Sequence, residues 1–388
     1  MSKFFPSYQL FIEVQSGEIL SLPEEYANDR EFACKFTVSQ TTTSTPQNAT
    51  INIYNLSDAN RKQIFFNWFD QVSVMKRVAL YAGYNEEKHL IFNGVQQEVS
   101  TYREGASLVT EIHATCLGYA ENGYEINDIP DKEYNFQDGG DNEDVSYRDL
   151  LDEPVDPMTM EGEWTFEKGV KRVDILWRLI TQFDDYQKER GIDEGFEVYI
   201  SDREWLEKRF NKPVTICGNI FDLIKQYVPP NTNVWMHENK LYIMSTDIAL
   251  KRSEHAANVF RYWKAKERQI GKRKNKLKSD RFTIAKATAA VEDGTDPDIL
   301  IINADTGLLN TPRFYGQSMQ LTTLFEPRVN CGDLVRLEST VQPEFNRDYK
   351  VCGVTHSCEM GFGTSGSNIT SLTLVYPNSN FMDVGYSL

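Results

Sequence analysis

Three runs near the end of the chain, Leu334-Val-Arg-Leu337, Tyr349-Lys-Val-Cys-Gly-Val354 and Asn368-Ile-Thr-Ser-Leu-Thr-Leu374, have earlier counterparts. These are Val78-Ala-Leu-Tyr81, Leu90-Ile-Phe-Asn-Gly-Val95 and Ser107-Leu-Val-Thr-Glu-Ile112. The runs are rich in β-branched and apolar residues, and several alternate apolar with polar, the period of a strand with one buried face. Order and spacing are similar in the two sets, and Gly94-Val95 answers Gly353-Val354. The parallel extends into the following turns, Val99-Ser-Thr-Tyr-Arg-Glu-Gly105 against Thr355-His-Ser-Cys-Glu-Met-Gly361. This points to an internal duplication of a small antiparallel barrel.

Further strand-like runs at 31–39 and 49–54 complete the first copy, whose other strands are expected at 72–81, 90–102 and 108–116. Between them, Ser57 is placed to cap a short helix whose apolar stripe is Ile64, Phe65 and Trp68. The middle of the chain changes period. Val173, Leu176, Ile180 and Phe183 recur every three or four residues, as do Ile220, Leu223, Ile224 and Tyr227, which is helical spacing. Pro229 and Pro230 end the second helix, and Glu238-Asn-Lys240 between two apolar runs signals a hairpin. The fold expected is mainly β with α+β: two similar small antiparallel β-barrels separated by an inserted α+β region. The divisions are 1–120 first barrel, 121–168 acidic insert, 169–250 α+β domain, 251–300 basic connector and 301–388 second barrel.

The 388 residues carry a formal net charge of −16 and are 40% hydrophobic, a balance suited to an acidic globular protein with sizeable cores. No apolar run approaches the roughly 20 residues needed to span a bilayer, so no membrane span is expected. The first residues lack a long apolar stretch and a cleavage site. Six scattered cysteines without a close framework read as reduced thiols. Residues 121–167 hold 16 Asp+Glu against two Lys+Arg, and residues 264–281 hold nine Lys+Arg against two acidic residues. Both are read first as solvated or partner-binding segments. Only Tyr262 and Trp263 lie beside the basic run to stack on bases, which argues against a nucleic-acid site.

The common catalytic motifs are absent: there is no HExxH, no GxxxxGK[ST] and no G-x-S-x-G. Cys352, His356 and Cys358 share a presumed strand, but positions 352 and 356 are roughly 13 Å apart at strand rise, too far for one zinc. No catalytic, cofactor or metal site is assigned. Glycoside hydrolysis needs only two suitably spaced carboxylates, so a cell-wall glycoside hydrolase is the competing reading. A carbohydrate-binding module would need exposed aromatics, for which Trp164, Trp205 and Trp263 are the candidates.

The chain resembles the central baseplate hub proteins of contractile-tailed bacteriophages and related injection machines. The resemblance is carried by Asn48-Ala-Thr-Ile-Asn-Ile-Tyr-Asn-Leu-Ser57, Val78-Ala-Leu-Tyr-Ala-Gly-Tyr84 and Ile91-Phe-Asn-Gly-Val95. Later it is carried by Asp305-Thr-Gly-Leu-Leu-Asn-Thr-Pro312 and Leu324-Phe-Glu-Pro-Arg-Val-Asn-Cys-Gly-Asp-Leu-Val335, with the hairpin at 233–243. It covers 30–118 and 303–377, and 170–246 more weakly. It implies two tail-tube-like barrels and a homotrimer whose six barrels imitate a hexamer. The implied partners are the tail tube protein, the central spike protein and the baseplate wedge proteins, in a virion tail assembled in the host cytoplasm. DNA would pass through the lumen without specific binding, repelled by carboxylates. No cofactor is implied. The residues singled out are structural: Gly83, Gly94, Gly332 and Gly353 for turns or close strand approach, Pro312 and Pro327 for loops before strands, and Tyr54 and Leu56 as core or inter-barrel contacts.

Overall fold

In the computed structural model the chain is described at residues 6–14, 19–23, 33–43, 47–64, 76–84, 87–116, 158–160, 163–189, 197–200, 208–217, 220–228, 231–237, 240–250, 260–261, 299–315, 318–361 and 367–377. The chain opens with a hairpin, β1 (Pro6–Glu13) and β2 (Ile19–Leu22). Strict alternation explains it: Tyr8, Leu10 and Ile12 are fully buried while their neighbours are half-buried. Next come β3 (Cys34–Thr41), β4 (Asn48–Tyr54), α1 (Asp58–Ile64), β5 (Arg77–Tyr84), β6 (Glu87–Glu104) and β7 (Ser107–Cys116). Ser57 caps α1, its Oγ accepting from the Asn60 N–H at 3.2 Å, and Ile64 turns into the core. Phe65 and Trp68, expected on the same stripe, lie outside the described residues.

The middle region comprises β8 (Met158–Met160), β9 (Glu163–Phe166), α2 (Arg172–Glu189), β10 (Glu197–Ile200), β11 (Val214–Ile216), α3 (Ile220–Tyr227), β12 (Thr232–His237), β13 (Lys240–Ser245) and β14 (Phe260–Arg261). Val173, Leu176 and Ile180 of α2 and Leu223, Ile224 and Tyr227 of α3 are buried, as their spacing predicts. The expected hairpin is β12–β13, with Trp235 stacked on Tyr242 at 4.8 Å and 5°. The acidic stretch through 157, the basic run 264–281, Pro229, Pro230, Trp205 and Trp263 fall outside the described residues.

The last region holds β15 (Leu300–Asn303), β16 (Arg313–Tyr315), β17 (Ser318–Leu324), β18 (Leu334–Glu338), β19 (Asp348–Met360) and β20 (Ile369–Val375). Its strand neighbours run β16-β17-β20-β19-β18, and those of the first region run β3-β4-β7-β6-β5. The same five-strand unit therefore occurs twice: a hairpin, then a three-strand meander whose last strand returns beside the hairpin. Each unit carries one bulge between its fourth and fifth strands in chain order, at 96–98 in β6 and at 351–353 in β19.

These bulges correct the alignment read from sequence. Arg77 opens β5 opposite Val95, and Leu334 opens β18 opposite Lys350. Past each bulge, Val99 faces Ile112 and Val354 faces Leu372. Val95 thus corresponds to Lys350 and Val99 to Val354, so Gly94 answers Tyr349 rather than Gly353. The shared Gly-Val pair is a coincidence of sequence, because the ladder geometry fixes the equivalence.

The two units are fused rather than merely tandem. β3 pairs antiparallel with β19 from Cys34↔Met360 to Thr41↔Gly353, which makes one continuous 13-stranded sheet. The first core runs through this seam, since Phe325, Cys358 and Met360 of the second unit belong to it. The second core takes in Trp235, Tyr242, Met244, Ile248 and Leu250 of the middle region.

Candidate functional site

The site that the sheet topology isolates is the seam where the first unit meets the second. Each strand of it presents apolar and polar residues alternately, so the pair has a dry and a wet side. On the dry side Phe36, Val38, Phe325, Cys358 and Met360 are at most 2% exposed. Phe325 is the centre of that packing. Its ring lies 6.3 Å from Phe36, 6.0 Å from Tyr84 and 5.5 Å from His356, edge-on to Phe36 and His356. The Tyr84 hydroxyl donates to the Phe325 carbonyl at 2.9 Å, and burial holds the phenol well above its ordinary range.

His356 lies on the same dry side, 5% exposed, directly opposite Val38, with Nδ1 2.9 Å from Thr370 Oγ1. That hydroxyl also accepts from the Glu326 N–H at 2.9 Å. Burial pushes the imidazole down to about 4, opposed by the Glu326 carboxylate and reinforced by His237. Glu326 itself, 4% exposed, holds Arg328 through two bonds of 2.6 and 2.8 Å. On the wet side Lys35 pairs with Glu359 at 3.1 Å, and the Ser39 and Thr355 hydroxyls stand 3.4 Å apart. These half-exposed contacts contribute about 0–1 kcal/mol each, so the seam rests on its apolar side.

The middle region braces the same junction. The Asn233 side chain donates to Thr42 Oγ1 at 3.3 Å, and the Thr42 N–H donates to the Cys352 carbonyl at 2.8 Å. Lys350, fully buried, donates through Nζ to the carbonyls of Ser245 and Thr246 at 3.2 and 3.3 Å, with Trp235 6.0 Å away. The Leu250 N–H donates to the Gly332 carbonyl and the Leu334 N–H to the Leu250 carbonyl, both at 2.8 Å.

The residues singled out from sequence are distributed over both units. Leu56 is buried in the first core, whereas Tyr54 is half-buried at the end of β4 and donates to Glu104 Oε2 at 3.0 Å. Gly83 lies in β5 opposite Ser7 and Lys88. Gly94 sits where strands approach closely: a Cβ there would lie 2.0 Å from the Thr115 carbonyl oxygen. Gly332 has φ +91°, and a Cβ would stand 2.8 Å from Trp235 Cζ2. Gly353 has ordinary backbone and roomier surroundings, 3.3 Å from the Thr373 side chain. Pro312 and Pro327 are buried, Pro312 immediately before β16 and Pro327 in the loop before β18. The structure brings none of these to a common cleft.

Among the described residues no group of three His, Cys, Asp or Glu side chains is placed to hold a metal, and no helix is long and apolar enough to cross a membrane. His356 and Cys358 face the core, and Cys352 sits at the bulge. Trp164 is 6% exposed, with the Arg178 guanidinium 5.2 Å from its ring. It offers no face for stacking a sugar.

No family profile and no curated protein matches the sequence. Solved structures similar to the chain include a 43 kDa tail protein of prophage MuSo2 from Shewanella oneidensis, at 9% identity and TM-score 0.43 over 96% of this chain and 98% of that one. A tail protein from Neisseria meningitidis is similar at 8% identity and TM-score 0.44, over 95% and 96% of the two chains. The E. coli c3393 protein, described as a type VI secretion component structurally similar to the T4 phage tail proteins gp27 and gp5, is similar at 9% identity and TM-score 0.42. That likeness covers 90% of this chain and 75% of the other.

Proposed function

We propose that the chain is a structural hub of a contractile tail: a homotrimeric ring that joins a hexameric tail tube on one face to a trimeric spike on the other. Baseplate wedge proteins engage its rim and DNA passes through its lumen. The observation that carries this reading is the doubled five-strand unit fused edge to edge. A chain with two such units meets a threefold partner once per chain and a sixfold partner once per unit, so three copies reconcile the two symmetries. The net charge of −16 suits a conduit for DNA, since carboxylates repel phosphates. The chain acts as scaffold, without a catalytic step of its own.

The test is the mass in solution by light scattering. A mass of three times the 44.7 kDa chain supports the ring, and a stable dimer or tetramer overturns it. Clearing of purified cell walls that one carboxylate substitution abolishes would replace the scaffold reading with the hydrolase.

A further inference from the structure

The fourth strand of each unit does two jobs along one edge. β19 has β20 along one side. On its other side it pairs first with β18 at 348–350 and then, past the bulge, with β3 at 353–360. β6 is built alike: β7 lies along one side, and β5 occupies the other side only as far as Val95. From Glu98 to Glu104 that second side has no strand partner among the described residues. It is the equivalent, residue for residue, of the edge that β3 occupies on β19.

The equivalent of β3 in the second unit is β16. It pairs with β17, and its outer edge has no partner strand among the described residues. The chain thus carries one filled joint and both halves of a second, identical in topology and not paired with each other among the described residues. Of the seven large hydrophobic side chains exposed among the described residues, three lie on these two edges: Tyr102 at 41%, Phe314 at 40% and Tyr315 at 56%. An edge decorated this way is a template for another strand.

We infer that β16 of one chain adds antiparallel to the 98–104 segment of β6 of a second copy, repeating between chains the β3–β19 joint made within each. The inference rests on the ring proposed above and supplies its interface. The register follows by transposition. Phe314 faces Met319 as Val38 faces Ala49, and Val38 faces His356 in the seam. His356 corresponds to Thr101, so Phe314 sets against Thr101, Arg313 against Tyr102 and Tyr315 against Ser100. Phe314 and Thr101 then face the core side, and Arg313 lies over the Tyr102 ring, diagonal to Glu104, the counterpart of the Glu359 that pairs with Lys35 directly opposite it in the filled joint. The contact is head-to-tail, so successive copies close a ring or continue as a filament according to the rotation per step.

Cysteine pairs placed in the full chain test this register. Adjacent cross-strand pairs alternate between wide and narrow, so two double variants are made, Thr101→Cys with Phe314→Cys and Tyr102→Cys with Arg313→Cys. The control, Glu104→Cys with Arg313→Cys, is displaced by two residues, about 7 Å along the strand and beyond disulfide reach. Oxidation of at least one matched variant to a covalent trimer, with none above the single-variant background in the control, is the expected result. Particles of trimeric mass in which neither matched variant cross-links overturn the interface and leave the ring standing. Chains that remain monomeric at every concentration overturn both. As a check free of substitutions, amide exchange of the wild type slows at 98–104 and 313–315 on assembly; unchanged exchange there in the assembled particle also refutes the joint.

Discussion

Acidification loosens the seam through His356, and the size of the effect follows from its surroundings. The imidazole titrates at about 4 in the folded chain because burial among Val38, Phe325 and Thr370 disfavours its charged form. In the unfolded chain it titrates near 6.5. Between these values the unfolded state binds a proton that the folded state does not, so stability falls as pH falls. The contribution is fully present above about 6.5 and lost by about 4, and at 1.36 kcal/mol per unit it totals about 3 kcal/mol. Many carboxylates also titrate near the lower limit, so the measurement is a difference: urea unfolding of wild type and His356→Gln at pH 7 and pH 4.5. The wild type should lose about 2 to 3 kcal/mol more over that interval than the variant. Equal losses, or a ring proton of His356 titrating near 6.5 in the folded protein, would refute the assignment of a buried neutral imidazole.

Three further outcomes follow from the packing. Phe325→Ala removes the ring that touches Phe36 and Tyr84 of one unit and His356 of the other, and should cost about 3–5 kcal/mol by chemical denaturation. Gly94→Ala should fail to give folded protein in circular dichroism and sizing, because the added methyl group meets backbone; Gly353→Ala, which meets only a side chain at 3.3 Å, should fold with a change of about 1 kcal/mol or less. Gly332→Ala combines a left-handed backbone with an approach to Trp235, and should lower stability by about 1–3 kcal/mol with a shift in tryptophan fluorescence.

What the sequence disclosed depended on whether the signal was local. The strands of both meanders, the Ser57 cap and the β12–β13 hairpin are written in periods and punctuation, and the structure places them close to those positions. The alternation of Tyr8, Leu10 and Ile12 in β1 and of Met319, Leu321 and Thr323 in β17 is equally legible, although both strands lie outside the runs that the duplication pairs. The bulges have no sequence signature, so matching Gly94 to Gly353 slid β6 four residues against β19. The seam was beyond reach for a different reason. Val38 and His356 look like ordinary strand residues, and nothing local says that one will lie opposite the other. Phe325 lies within the stretch that carries the resemblance, yet nothing local marks it as completing the first unit's core.

The joint between β3 and β19 also sets the order in which the molecule becomes itself. Its two strands lie more than 300 residues apart in the chain. At synthesis rates of about 5–20 residues per second, β3 therefore waits on the order of tens of seconds for its neighbour to be made. During that wait the nascent first unit shows a bare strand edge and a core without Phe325, Cys358 and Met360. A companion chain still on a ribosome would offer the same bare edge, and two such edges invite mispairing. The molecule's timing guards against this only once β19 has been made, so finished chains enter assembly with that edge already covered.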